Sequence, residues 1–152
     1  MMLDFKRRQH LWLRDDFVDF LESVVRARFI VDEIDVVLPM PTTFKHRIDR
    51  GYNPTDYLAR PLARRLERPY EAAALARTAH PKRQSGLKEE ERRENVKGTF
   101  LVKKPLVVKD RTVLVVDDVM TTGSTLSACA QCLKASGAAR VWCASLCRSV
   151  RA

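Results

Sequence analysis

The chain has 152 residues, which is enough for one domain with a sizeable core. Hydrophobic residues make up 45% and charged residues 31%, as in soluble globular proteins, and no uncharged run is long enough to cross a bilayer. The net charge of +9 favours anionic ligands, either a polyphosphate substrate or a nucleic acid. Because the start carries no hydrophobic signal segment, we expect a cytoplasmic protein.

The first predicted elements are a helix, a buried strand and a second helix. The segment RDDFVDFLESVVRARF is expected to form an amphipathic helix, since Phe17, Leu21 and Val24 recur at helical spacing. The β-branched run over residues 34–39 predicts a short strand that ends at a proline. The next helix is expected to be capped by Asn53. Its apolar face is formed by leucines one turn apart: Leu58, Leu62 and Leu66.

A polar stretch separates these elements from the second half of the chain. Residues 80–98 are nearly all polar or charged, and such a run is usually a solvated loop or an exposed helix. Strand character resumes over residues 99–102, and residues 103–110 predict a hairpin or a connector.

The second half of the chain predicts a strand, a helix and a strand in that order. RTVLVVDD contains a continuous apolar run just before two acids, which implies a strand buried on both faces in a parallel sheet. STLSACAQCLKASG predicts a helix that Gly137 closes, and ARVWCASLC predicts the next strand. This order forms a βαβ unit with a right-handed crossover. The predicted fold class is therefore α/β, with a mostly parallel sheet and a single domain.

Four cysteines lie in this second half, at spacings that invite comparison with a zinc site. They are Cys129, Cys132, Cys143 and Cys147. Cys129 shares a helix face with two leucines, and the last two cysteines lie on an apolar strand. We therefore expect reduced thiols that behave as small hydrophobic side chains, rather than metal ligands or disulfides.

The stretch VLVVDDVMTTGST, residues 113–125, places two acids after the buried strand and a hydroxyl-rich turn after the acids. Ligands of open α/β sheets bind at the carboxyl ends of the strands. The turn contains hydroxyl-bearing residues and one glycine: Thr121, Thr122, Gly123, Ser124 and Thr125. Hydroxyls, free backbone N–H groups and a helix N-terminus suit a phosphate group.

The acidic pair, Asp117 and Asp118, would repel a phosphate but suits the neighbouring hydroxyls of a diol. A ribose 5-phosphate satisfies both parts of the stretch. A capping aspartate followed by a polar loop is the simpler explanation, but it accounts for one aspartate and one threonine only.

This stretch resembles the phosphoribosyl pyrophosphate signature of type I phosphoribosyltransferases. Two more segments resemble the ComF-type branch, which is competence-associated and amidophosphoribosyltransferase-like. They are PMPTTFKHRIDRGYN, from Pro39 to Asn53, and QSGLKEEERRENVKGTF, from Gln84 to Phe100. Together the matches run from about residue 34 to residue 148.

The resemblance implies the type I phosphoribosyltransferase fold, in which helices flank a mostly parallel central sheet. Residues 1–30 would form an N-terminal helical hood. Its aromatic residues Phe5, Trp12 and Phe17 are candidates for stacking on a base, although aromatic residues at helical spacing more often pack in the core. Residues 31–152 would form the core, with a mobile lid at about residues 80–98. Relatives of this type frequently pair, so a homodimer is a further expectation.

The resemblance also implies the chemistry. The donor would be phosphoribosyl pyrophosphate with Mg²⁺, the acceptor an unidentified nitrogen nucleophile, and pyrophosphate would be released. The implied catalytic residues are Asp117, Asp118 and Arg83, and the two aspartates would also meet the metal, which is held mostly by substrate and water. The implied substrate-binding residues are Val119, Met120, Thr121, Thr122, Gly123, Ser124 and Thr125 around the phosphate turn, with Pro41, Thr42, Lys45, Arg47 and Arg92 near the pyrophosphate.

Two classes of function stay open. The first is a phosphoribosyltransferase. The second is a non-catalytic nucleotide-binding accessory protein in DNA uptake, whose partner is single-stranded DNA or a competence helicase. The basic run over residues 80–98 favours the enzyme, because a sensor would not need it. A dehydrogenase is disfavoured because no GxGxxG sequence follows the first strand.

Overall fold

The structure is a computed structural model that describes residues 13–42, 53–78, 99–120 and 122–148. The predicted lid over residues 80–98 and the first twelve residues of the predicted hood lie outside this part. The described helices and strands follow in chain order: α1 Arg14–Arg28, β1 Val36–Pro39, α2 Asp56–Arg65, β2 Leu75–Arg77, β3 Phe100–Val102, α3 Pro105–Val108, β4 Thr112–Met120, α4 Ser124–Ala135 and β5 Arg140–Arg148. Short 3₁₀ turns occupy Val31–Glu33 and Ala72–Ala74.

A three-stranded parallel sheet forms the centre, in the order β1-β4-β5. Val36 of β1 lies opposite Val113 of β4, and the other edge of β4 pairs with β5 as far as Met120. A single parallel bridge between Val37 and Tyr70 extends the sheet beyond β1. The predicted parallel sheet and its strand, helix, strand unit are confirmed.

Helices cover both faces of this sheet. The α1 and α2 helices pack on one face, in a hydrophobic cluster that includes Leu114 and Val116 of β4. The α4 helix packs on the other face, in a second cluster with Val113 and Val115. Residues 112–118 of β4 are all buried, as expected of a central strand covered on both faces.

The described helices differ from expectation in two details. The buried residues of α1 are Val18, Leu21 and Val25, whereas Phe17 and Val24 are only partly buried, so the predicted apolar face was wrong by about one residue. Residues 103–110 contain the short helix α3, with a proline at its start, where a hairpin or connector was expected. In the described part of the chain, no helix is long and apolar enough to span a membrane.

A second, two-stranded sheet was not predicted as such. Strands β2 and β3 pair antiparallel, with Leu75 opposite Val102 and Arg77 opposite Phe100. The strand expected at residues 99–102 is confirmed as β3, but β2 went unrecognised because it has only three residues. The predicted lid lies between these two strands in the sequence, within residues 79–98, which are outside the described residues.

Candidate functional site

The acidic pair lies inside β4, because the strand continues to Met120, two residues past Asp118. Asp117 and Asp118 are each about 8% exposed. The Asp118 N–H donates to Asp117 Oδ1 at 2.9 Å, and the Val119 N–H donates to Asp118 Oδ1 at 2.8 Å. Each carboxylate therefore accepts a hydrogen bond from the backbone of the next residue, which helps to fix its orientation.

The two carboxylates have different surroundings, because successive residues of a strand face opposite sides of a sheet. The side chain of Asp117 faces the same side of the sheet as those of Val113 and Val115, and α4 covers that side. Its negative charge acts there on two thiols: burial, and then the charge of Asp117, raises the pKa of Cys143 to about 11. Burial is also the main cause that raises the pKa of Cys129, with a smaller contribution from Asp117. By alternation, Asp118 faces the side of α1 and α2.

The turn after β4 holds its glycine in a left-handed conformation. Gly123 has a φ of +79° and occupies the position just before α4 begins at Ser124. The Thr122 and Ser124 hydroxyl oxygens lie 2.9 Å apart, and the Ser124 N–H donates to Thr122 Oγ1 at 3.4 Å. Both hydroxyls are exposed at the helix N-terminus, which is the arrangement the sequence suggested for a phosphate group.

The neck of the loop after β1, where Met40 lies beside the residues that precede α2, is held by two side chains. The Met40 carbonyl accepts hydrogen bonds from the Thr55 hydroxyl at 2.7 Å and from the Asn53 amide at 3.1 Å. The Met40 N–H donates to Val116 of β4 at 2.7 Å, so the neck is tied to the central strand. The prediction that Asn53 caps α2 was wrong, because its side chain bonds Met40 instead and α2 begins at Asp56 after Thr55.

A cavity of about 340 Å³ opens beside this neck. Pro41 and Thr42, both predicted to bind pyrophosphate, line it together with two cationic residues, Arg77 of β2 and Lys103. The Arg77 guanidinium lies 5.7 Å from the centre of the Phe100 ring. Its Nε is buried and has no hydrogen-bond partner among the described residues.

The structure thus brings together part of the predicted site. It describes Asp117, Asp118, Val119, Met120 and Thr122 to Thr125 around the end of β4 and the start of α4, and Pro41 and Thr42 at the neck of the loop after β1. The remaining predicted residues, Thr121, Lys45, Arg47, Arg83 and Arg92, lie outside the described residues.

Three polar residues at the site were missed. Thr55 gives no sequence signal beyond its position after Asn-Pro. Arg77 and Lys103 could have been found only by recognising the hairpin at both ends of the polar run. Their position, one on each side of residues 79–98, is a property of strand pairing rather than of composition.

The carboxylates at the end of β4 fit a magnesium ion whose other ligands come from a bound phosphate-bearing substrate and from water. Mg²⁺ is bound by one or two carboxylates together with waters and phosphates, rather than by a cage of protein ligands. Asp117 and Asp118 supply two carboxylates, and the described ranges contain no group of three or more histidine, cysteine or acidic side chains that could hold a metal. The four cysteines have free thiols, of which Cys129 is buried.

Solved structures share this fold. The chain superposes on glutamine phosphoribosylpyrophosphate amidotransferase from B. subtilis with a TM-score of 0.62 and 17% identity, covering 94% of this chain and 30% of that one. It superposes on adenine phosphoribosyltransferase from Thermoanaerobacter pseudethanolicus with a TM-score of 0.57 and 13% identity, covering 94% and 84%. The fold is therefore that of the type I phosphoribosyltransferases.

Residues 57–151 match the phosphoribosyl transferase domain family. The chain is 38% identical over 118 residues to DNA utilization protein YhgH of Escherichia coli O157:H7, covering 76% of this chain and 50% of that protein. It is 31% identical over 140 residues to competence protein F of Haemophilus influenzae, covering 88% and 60%. The chain belongs to the phosphoribosyltransferase family, in its ComF-type branch, and it spans about half the length of the curated relatives it matches.

Proposed function

We propose that the protein binds phosphoribosyl pyrophosphate and transfers its phosphoribosyl group to a nitrogen acceptor. The observation that carries the proposal is the pair of buried carboxylates at Asp117 and Asp118, followed by the turn in which Gly123 is left-handed, in a chain of this family. Carboxylates suit the ribose hydroxyls and the turn suits the 5-phosphate, so the two features together match the donor's sugar.

The 5-phosphate would bind at the N-terminus of α4. The exposed hydroxyls of Thr122 and Ser124 can donate to phosphate oxygens, and the first N–H groups of α4 add donors and the positive end of the helix dipole. Gly123 lets the chain turn into the helix with φ positive, without a side chain over the ligand. Thr121 and Thr125 would complete this cradle.

Asp117 and Asp118 would orient the ribose. Each carboxylate approaches the end of β4 from its own side of the sheet, so that each would accept a hydrogen bond from a different one of the two neighbouring hydroxyls. The same two residues would contact Mg²⁺, which when bound offsets negative charge on the pyrophosphate. Holding the ribose in one orientation directs its C1 towards the acceptor.

The pyrophosphate would lie over the cavity at the neck of the loop after β1. Pro41 and Thr42 line this cavity, and the cationic side chains of Arg77 and Lys103 reach it from the β2–β3 hairpin. We further propose Lys45, Arg47, Arg83 and Arg92 as contacts from the segments outside the described residues. Positive charge here stabilises the departing pyrophosphate as the C1–O bond breaks. The new bond forms between C1 and the acceptor nitrogen, which releases a proton to solvent.

Calorimetry with phosphoribosyl pyrophosphate and Mg²⁺ tests the proposal. The variant Asp117→Asn/Asp118→Asn should bind the donor about 100-fold more weakly, because hydrogen bonds to charged groups each contribute about 1.5–3 kcal/mol. Asp110→Asn is the matched control, since it makes the same exchange on an exposed residue at the other end of β4. Unchanged affinity of the double variant would reject the ribose role. Transfer itself is tested with the wild type. Pyrophosphate should be released from the donor and Mg²⁺ when a pool of bases and amines is added.

A second candidate function rests on the names of the relatives. DNA utilization protein YhgH and competence protein F carry names that refer to DNA use and uptake, and this chain has a net charge of +9. The protein would then keep the nucleotide site but act as an accessory protein on single-stranded DNA or on a helicase. Donor binding without pyrophosphate release, together with salt-sensitive binding of single-stranded DNA, would favour this candidate.

A further inference from the structure

A groove between the start of α1 and the length of α2 is lined by three arginines and by neither residue of the acidic pair. Its volume is about 360 Å³, and its cationic residues are Arg14 of α1 with Arg60 and Arg64 of α2. We propose that this groove is a second anion site, which binds adjacent phosphate groups of one ligand. It shares Asp56 with the cavity beside Thr42, so the two openings are neighbours.

The positive charge of the groove is not neutralised by the helices that form it. Two acids of α1 are used elsewhere: Asp19 and Glu22 pair with Arg65, and Glu22 also accepts a hydrogen bond from Arg26 at 2.9 Å. Arg60 and Arg64, in contrast, form no ion pair within the described residues.

The one ion pair found at the groove among the described residues is weak. Arg14 contacts its sequence neighbour Asp15 at 3.0 Å, and both side chains are largely exposed. Exposed pairs of this kind contribute little and are exchanged easily for a stronger anion. Arg14 is therefore available to a ligand together with the two arginines of α2.

Arg60 is held in place before a ligand arrives. Its guanidinium carbon lies 5.1 Å from the centre of the Tyr70 ring, a cation–π distance. The Tyr70 hydroxyl donates to the carboxylate of Asp56. Burial, and then this hydrogen bond, raises the pKa of Tyr70 well above its ordinary value, so the tyrosine stays a neutral donor. Asp56, the single acid among the residues that line the groove, is thereby engaged with Tyr70.

These features match a ligand with at least two phosphate groups. A guanidinium binds a phosphate through two parallel hydrogen bonds, so arginine is favoured where phosphates are recognised. Arg60 and Arg64 are four residues apart on one helix, which places their side chains about 5–6 Å apart at the base. Consecutive phosphates of a polyphosphate or of a nucleic-acid strand could each meet one of them.

Binding of two probes to the whole protein tests the inference. Tripolyphosphate is titrated by calorimetry, and a fluorescent ten-residue oligothymidine is titrated at low salt. Whichever probe the wild type binds, the affinity of Arg60→Gln/Arg64→Gln for that probe should be at least about tenfold lower, because two charge-assisted contacts are lost. Lys109→Gln/Arg111→Gln removes the same charge from exposed residues at the start of β4 and should change affinity less than twofold.

The outcomes distinguish a free polyphosphate from a nucleic-acid backbone, and they distinguish the groove from the proposed donor site. Selective loss with tripolyphosphate indicates a free polyphosphate ligand, and selective loss with the oligonucleotide alone indicates a nucleic-acid backbone. Either result supports the groove. Equal losses in the two double variants, or a wild type that binds neither probe, would overturn it. Asp117→Asn/Asp118→Asn should keep this binding, so failure of the donor site and failure of the groove are distinguishable.

Discussion

Asp117 shows how one residue of the site is coupled to the hydrophobic layer beneath it. The residue belongs to the acidic pair, yet its charge also acts on Cys143 of β5, on the α4 side of the sheet. This coupling gives a direct test of which face each aspartate occupies.

Asp117→Asn should increase the rate at which iodoacetamide alkylates Cys143 at pH 8.5 severalfold. Removal of the negative charge lowers the pKa of the thiol, and the thiolate is the reactive form. The thiol should still react more slowly than a free cysteine, because burial is the larger cause of its raised pKa. Mass spectrometry of the labelled peptides measures the rate. Asp118→Asn is the control, and an equal increase in that variant would contradict the alternation of the two side chains.

At the scale of elements, α4 is bounded by two glycines with positive φ, one at the candidate site and one at the far end. Gly123 precedes the helix, and Gly137 follows it with a φ of +96°. The far end is closed by the Gly137 N–H, which donates to Lys134, and by the Ala138 N–H, which donates to Leu133. This pairing is a Schellman motif, so the predicted helix end at Gly137 is confirmed.

Gly123→Ala and Gly137→Ala should each destabilise the fold by about 1–2 kcal/mol, the cost of a left-handed conformation for a residue with a Cβ. The added Cβ meets Met120 Sδ at 3.7 Å in the first case and Lys109 Cγ at 3.5 Å in the second, which are ordinary contacts. Urea unfolding measures the loss. Binding of ribose 5-phosphate should weaken in Gly123→Ala only. Equal affinities in the two variants would contradict the proposal that the phosphate binds at this turn.

Elements with a strong local pattern were predictable from the sequence, and elements made by pairing were not. The apolar run of β4, the periodic leucines of α2 and the glycine after α4 each specify their structure without help from distant residues. Strand β2 is three residues long and exists because Phe100 to Val102 lie beside it. For the same reason Arg77 was not among the predicted site residues, whereas Asp117 and Asp118 follow a local apolar run and were predicted from it.

Asn53 shows the same limit within the site. Asparagine before proline and an apolar helical pattern is a common helix cap, so the local pattern was read correctly as a boundary. Its partner is nevertheless the Met40 carbonyl, thirteen residues earlier in the chain. This bond forms because the fold brings residues 40 and 53 together, and no short-range sequence pattern predicts that approach.

At the scale of the whole molecule, the two hydrophobic layers shift the titration of groups buried in them. Burial is the largest cause that raises the pKa of Cys129 and Tyr70, and it raises that of Cys143 to about 11, from an ordinary value of 9.0. For each group the folded state holds its proton more tightly than the unfolded chain does. The stability that results is complete below the unfolded pKa and declines as the pH rises towards the folded pKa.

The free energy of unfolding should therefore fall between pH 9 and pH 11, with about 1–2 kcal/mol of the loss due to Cys143. Urea unfolding at pH 8, 9.5 and 10.5, with a reducing agent present, measures the slope. Cys143→Ala lacks this thiol and should show a shallower slope over the same window, whatever its stability at pH 8. Because lysines also titrate there in both proteins, the difference between the two slopes isolates the thiol. Parallel slopes would mean that Cys143 is more hydrated than its position on β5 indicates, and a steeper slope in the variant would contradict the direction of its pKa shift.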